Sequence, residues 1–190
     1  MKPKINKISF NSPVILIFAI ICLAAFALNY LTGGYSNRLL FSVYRAPLSD
    51  PLTYVRFVGH IFGHADWGHI SANMTMLLLT GPLLEEKYGK ADIIVIIVIT
   101  AIVTGIINFV FFPDTALLGS SGVVFAFIML SSFTGTKNGR IPLTFILIFV
   151  IYISSQVYDG IFLKDNISNI THIAGGIIGG MFGFIINCRR

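Results

Sequence analysis

Ser121 lies in the run Gly119-Ser120-Ser121-Gly122. A hydroxyl between glycines is a candidate nucleophile, because the backbone there can turn sharply and admit another chain closely. Apolar residues follow from Val123 to Phe127, so the serine falls at a helix start, where unpaired N–H groups can hold a developing oxyanion. The plainer alternative is a serine N-cap, or small residues that ease helix packing. His172 heads a second cluster, in which Gly175 with Gly179 and Gly176 with Gly180 form small-xxx-small stripes that Gly183 extends. An imidazole one turn before such a stripe is held near a neighbouring helix, as a general base for a serine must be. Its plainer alternative is a hydrogen bond to another helix or a place at the water interface. The third cluster is His60, His64, His69 and Asn73. His69 and Asn73 are four apart and share a helix face, and both can donate hydrogen bonds to a carbonyl oxygen that gains charge. His60 and His64 have the same spacing, which raises a metal site. No Glu stands between them and the chain has no H-E-x-x-H, so no metal is expected and His64 is read as supporting its loop through hydrogen bonds.

These groups need a scaffold, and composition sets its class. The 190 residues are 55% hydrophobic and only 11% charged, with a mean hydropathy of +0.85. Soluble domains average about 45–50% apolar and about 25% charged residues, so a disordered tail, a coiled coil and an ordinary soluble enzyme are excluded. The 17 Phe and 18 Gly suit helices packed within lipid. The net charge of +5 contains no dense basic run, and the basic residues sit at the ends of apolar stretches, so no nucleic-acid partner is expected. Cys22 and Cys188 are expected to be free thiols. The fold class is an all-α membrane protein.

A bilayer crossing needs roughly 20 apolar residues. Clear candidates are 13–31, 93–112, 116–133, 141–158 and 170–187; a sixth, 70–84, is short and carries Ser71, Asn73, Thr75 and Thr80. Six crossings place Lys2, Lys4, Lys7, Lys87, Lys90, Lys137, Arg140, Arg189 and Arg190 on one side, nine of the thirteen basic residues, against Arg38, Arg45, Arg56 and Lys164 on the other. The Lys/Arg bias then predicts that both termini are cytoplasmic, in a cell (inner or plasma) membrane. Signal-peptide cleavage after Ala25-Phe26-Ala27 is set aside, because the apolar run continues past it. One helical domain over 1–190 is expected, with residues 32–68 folded against the outer surface, since an unstructured loop of that length is unusual. Spans two, four and six all run inward, so His69 and Asn73, Ser121, and His172 share one depth near the outer face.

With its motifs in order, the chain resembles the rhomboid intramembrane serine proteases of the compact six-span bacterial type. The matching pieces are His64-x-x-x-x-His69-x-x-x-Asn73, Gly119-x-Ser121-Gly122 and His172-x-x-Gly175-x-x-x-Gly179, and the likeness runs from about Tyr54 to Gly183. The resemblance implies a six-transmembrane-helix bundle with a membrane-embedded first outer loop. Ser121 would be the nucleophile and His172 the general base, in a dyad without a third acid. The Ser121 N–H, His69 and Asn73 would form the oxyanion hole, while Gly175 and Gly179 seat span six against span four. Glu85 matches a position that braces the bundle from the cytoplasmic side. No cofactor is implied, and the partners are transmembrane protein substrates and the lipid bilayer; nothing in the sequence sets an oligomeric state.

Two departures stand out. Where family members often have Trp-Arg in the first loop, Arg56 here follows Val55, with Tyr54 as the nearby aromatic. Four residues after the nucleophile many members have Tyr; Phe125 keeps the stacking face and loses the hydroxyl. Ser120 also carries a hydroxyl, but the family pattern assigns the serine before the second glycine, and Ser120 is expected to point about 100° away on a helix. The rival class is a catalytically weak or inactive rhomboid-like protein that binds transmembrane clients, which would be expected to lose the serine or the histidine. A transporter would place charges or broken helices near the midplane, which this chain does not.

Overall fold

Apolar runs punctuated by Gly, Pro and Asp give an all-helical chain. The structure, a computed structural model, describes residues 10–135, 140–162 and 166–188. Lys2, Lys4, Lys7, Lys137, Lys164, Arg189 and Arg190, which enter the charge argument above, lie outside them. The helices are α1 (Pro13–Leu31), α2 (Tyr35–Leu39), α3 (Pro51–Gly59), α4 (Trp67–Tyr88), α5 (Lys90–Phe111), α6 (Ser121–Ser131), α7 (Leu143–Phe162) and α8 (Asn166–Cys188), with a 3₁₀ turn at His60–Phe62. Helices α1, α5 and α8, the last over Asn169–Cys188, are long and apolar enough to cross a membrane. Their outward faces expose residues such as Ile20, Leu23, Ile94, Ile102 and Ile185, which suits lipid and not water.

α6 is the central post. It packs against α4, α5, α7 and α8, and its contact with α8 is the most extensive in the bundle. Phe127, Met129, Leu130 and Val123 are fully buried there, and Phe127, Leu130 and Val123 share one apolar core with Leu77 and Leu84 of α4 and Ile93 and Ile96 of α5. At 1.5 Å per residue its 11 residues span only about 16 Å, well short of the roughly 30 Å hydrocarbon core. The helix expected from residue 116 therefore starts five residues late, for a local reason. Leu117 exchanges both backbone hydrogen bonds with Val43 at 2.9 Å each, and Gly119 has φ +127, outside right-handed helix space. Residues 116–120 are thus used as an extended strap before the helix can begin.

α4 starts where Asp66 caps it, its carboxylate accepting from the His69 N–H at 2.9 Å. The hydroxyls on this least apolar long helix are satisfied internally: Thr75 donates to the Ser71 carbonyl and Thr80 to the Met76 carbonyl, both at 2.8 Å. Such back-bonding lets these hydroxyls sit on the helix without orphaned donors.

The long connection between α1 and α4 is pinned at several points. Arg56, only 4% exposed, pairs with Asp50 at 3.1 Å, donates Nε–H to the Leu39 carbonyl at 3.0 Å, and lies over the Tyr44 ring. Asn108 of α5 donates to the Val43 carbonyl at 3.0 Å and to Thr115 at 3.3 Å. One amide thereby joins the connection to the strap that precedes α6.

At the opposite end, Glu85 lies inside the last turn of α4 and not past a span. It is 5% exposed, and its carboxylate accepts from the Val14 N–H at 3.2 Å and the Ile15 N–H at 3.0 Å. Ser12 at the N-cap makes no side-chain cap of its own. Glu85 therefore supplies the acceptor that the α1 N-terminus needs, with the charge sign the helix dipole favours. Glu85→Ala is expected to destabilise the protein by about 1.5–3 kcal/mol, the range for hydrogen bonds to a charged group. Unfolding in detergent checks this; a midpoint equal to wild type would contradict the role.

Candidate active site

Two helices bring the central pair together. His172 Nε2 lies 2.8 Å from Ser121 Oγ, a distance at which the serine O–H can donate to an unprotonated Nε2. The approach is set by backbone, because at two glycines α8 rests directly on the α6 main chain. A Cβ on Gly175 would run into the Gly122 carbonyl, and one on Gly179 into the Ala126 carbonyl. Gly175 is three residues after His172 and on the same helical face, so the seam that seats α8 also aims the imidazole. The other stripe meets rings: Gly176 faces Tyr152 and Gly180 faces Phe145, both of α7, and Gly183 faces Phe133. Phe125 packs against His172 with ring centroids 4.5 Å apart.

Ser121 is the first residue of α6, so its N–H has no intrahelical acceptor. Gly119 leads the chain into it, with its N–H donated to the His60 carbonyl at 2.9 Å. A methyl added at Gly119 would sit 2.7 Å from His69 Nε2 and 3.8 Å from Ser121 Oγ. The His69 ring and the Ser121 hydroxyl therefore both lie beside the Gly119 Cα, where a side chain would collide with the imidazole. Asn73, one turn along the same face of α4, is 6% exposed, and its Nδ2 has no hydrogen-bond partner among the described residues. A buried amide donor left unsatisfied is costly.

Ser120 does not compete with Ser121 here. It occupies the N-cap position, is fully buried, and its Oγ lies 3.3 Å from His64 Nε2. His64 Nδ1 lies 3.2 Å from the Phe62 carbonyl. A carbonyl only accepts, so the ring proton is assigned to Nδ1, and Nε2 accepts from the Ser120 hydroxyl. His64 thereby locks the strap to the connection, and its ring also meets His69 edge-on at 5.0 Å. His60 is engaged elsewhere, with Nε2 3.0 Å from the Ala101 carbonyl. Arg56 and Glu85 lie away from the pair, in the connection and at the far end of α4.

Some contributors were not foreseen from the sequence. Asp66 sets the start of α4 and so the position of His69; its signal was an acidic residue three before His69, at N-cap spacing. Asn108 ties the strap down; its signal was a lone amide within an otherwise apolar run.

Fold and site define an α-helical membrane protein with a half-buried hydroxyl–imidazole pair near one end of its bundle. Residues 51–189 match the family model described as Rhomboid domain, and the chain belongs to the rhomboid family. It is similar to rhomboid protease GlpG of Haemophilus influenzae, at 23% identity over 185 residues, covering 95% of this chain and 94% of that protein. Its similarity to GlpG of Yersinia pseudotuberculosis is 25% over 176 residues, 90% of this chain and 62% of that one. With rhomboid-like protein 11, chloroplastic, of Arabidopsis thaliana it is 25% identical over 149 residues, 70% of this chain. The chain spans about half the length of that plant relative (53%) and nearly all of the Haemophilus one.

Burial pushes the His60 imidazole down from 6.5 to about 4. Burial, with His69 adding in the same direction, does the same for His64, also to about 4. Both are uncharged in the fold at neutral pH. Between about pH 6.5 and 4 the unfolded chain binds more protons than the folded one, so stability is complete above that window and falls as pH drops through it. The melting midpoint in detergent is expected to decline over this range. A midpoint constant throughout would show that these two rings are not buried neutral.

Proposed function

We propose that this protein is an intramembrane serine endopeptidase that cleaves transmembrane segments of membrane proteins near the outer face. The observation that carries the reading is the 2.8 Å approach of His172 Nε2 to Ser121 Oγ in a chain of the rhomboid family. Relatives named as proteases, GlpG of Haemophilus influenzae among them, support it. The proposed architecture is one rhomboid-type domain with six crossings, α1, α4, α5, α6, α7 and α8, and both termini in the cytoplasm of a cell with this protein in its inner or plasma membrane. The short α6 would then begin at a wet pocket beneath the outer boundary, where water can reach Ser121.

In this reading, a substrate helix unwinds locally before it reacts, because helical backbone groups are already paired. The Ser121 oxygen attacks the exposed carbonyl carbon while its proton passes to His172 Nε2. The tetrahedral oxyanion is held by the Ser121 N–H with His69 and Asn73, and the unsatisfied Asn73 amide is suited to that load. The C–N bond breaks as His172 returns the proton to the leaving amine. Water then attacks the acyl carbon, giving its proton to His172; the ester bond to Ser121 breaks as His172 passes that proton to the Ser121 oxygen, and the free acid leaves with the pair restored. No step calls on a cofactor.

The test is reconstitution of the full chain in liposomes with a single-span substrate that has helix-weakening residues near its outer end. Wild type is expected to cleave, and Ser121→Ala and His172→Ala to show no detectable product, because the pair acts as a unit. Asn73→Ala is expected to lose about 10²–10³-fold in kcat, the usual effect of one oxyanion donor. Full cleavage by Ser121→Ala, together with loss in Ser120→Ala, would overturn the assignment.

A further inference from the structure

One ring of α7 reaches the functional pair without touching Ser121's side of it. Tyr152 is 9% exposed, and its ring stacks on Phe125 with centroids 4.4 Å apart and planes 29° from parallel. Phe125 in turn packs against His172 at 4.5 Å. The third wall is Gly176, where a Cβ would stand 3.0 Å from Tyr152 Cε1. Gly176 is four residues after His172, on the same face of α8. Tyr152 is thus wedged between the residue that packs against the imidazole and the helix that carries it. Its hydroxyl makes no hydrogen bond among the described residues, so the ring is the part that acts.

We propose that Tyr152 is a positioning residue, which backs Phe125 and so holds the His172 ring in line with Ser121 throughout turnover. The proposal rests on the protease reading above. The need for it follows from that chemistry. Once the Ser121 oxygen is part of an ester it has no proton to donate, and the hydrogen bond that fixes His172 in the resting state is gone. The imidazole must keep its place through that interval to activate water, and packing against Phe125 remains to hold it. A Phe125 ring free to tilt would hold it poorly; Tyr152 removes that freedom.

The experiment compares full-length wild type, Tyr152→Phe, Tyr152→Leu, Phe125→Leu and the double leucine variant in liposomes. Two quantities are read: kcat and KM on a single-span substrate, and the rate at which a small fluorophosphonate inactivates the enzyme, which does not depend on entry of a helix. Ser121-dependent cleavage by wild type is established first; its absence would sink the protease reading and this proposal with it. Tyr152→Leu is expected to lower kcat and the probe rate about tenfold, the scale of one aromatic pair, with KM little changed. Tyr152→Phe restores both. The double variant is expected to be no slower than Phe125→Leu alone, because Tyr152 acts through that ring. Gly176→Ala keeps every aromatic residue and presses a methyl on the edge of Tyr152, so it reports a smaller loss of the same kind, about threefold, if the leucine variant melts early. Unchanged kcat in both Tyr152→Leu and Gly176→Ala, an effect confined to KM, a Phe variant as poor as Leu, or multiplicative losses in the double variant would each overturn the proposal.

Discussion

The contact on which the rest of the molecule depends is backbone against backbone: α8 lies on α6 where Gly175 meets the Gly122 carbonyl and Gly179 meets that of Ala126. Between helices in lipid there is no hydrophobic force to draw them together, so close packing of small residues takes its place. That approach carries His172 to Ser121. Any side chain at either glycine would force the helices apart by more than a hydrogen bond can stretch. The surrounding elements then have one task, which is to keep the start of α6 where α8 expects it.

They do so largely with hydrogen bonds from polar groups. The strap before α6 is held by Val43, by the His60 carbonyl, by His64 through Ser120, and by Asn108 through Thr115. Arg56 and Asp50 stiffen the connection that carries these residues. In a low-dielectric setting such bonds are strong when complete and expensive when broken. Among the buried groups left without a partner by the described residues, the Asn73 amide is the one that lies on the His69 face of α4. The far end of the bundle has the same economy of parts, with Glu85 closing the N-terminus of α1.

Much of the helical order could be read from hydropathy. The stretch expected over 13–31 is α1 with the same bounds, and the membrane class and the rhomboid family followed from composition and motif order. The start of α6 was misjudged because Ala116 to Gly119 is apolar enough to continue a helix, and only its pairing with Val43, far off in sequence, makes it extended. Ser120 was expected on a helical face turned from Ser121; it is instead an N-cap residue whose hydroxyl meets His64. Partners of that kind are set by tertiary contact. Tyr152 gave no signal for the same reason: an aromatic in an apolar run looks like core until its neighbours, Phe125 and Gly176, are known. The residue types able to do chemistry were visible from spacing, and His64, Gly175, Gly179 and Glu85 from the motifs, whereas Asp66, Asn108 and Tyr152, which also hold the arrangement, were not.

The central claim is that the Ser121 hydroxyl, not that of Ser120, is made reactive by His172. Digestion and mass spectrometry of the reconstituted protein after treatment with a fluorophosphonate tests it most directly. The account predicts a single adduct on Ser121 that is absent when His172 is replaced by alanine. An adduct on Ser120, or on Ser121 at an undiminished rate without the imidazole, would contradict it.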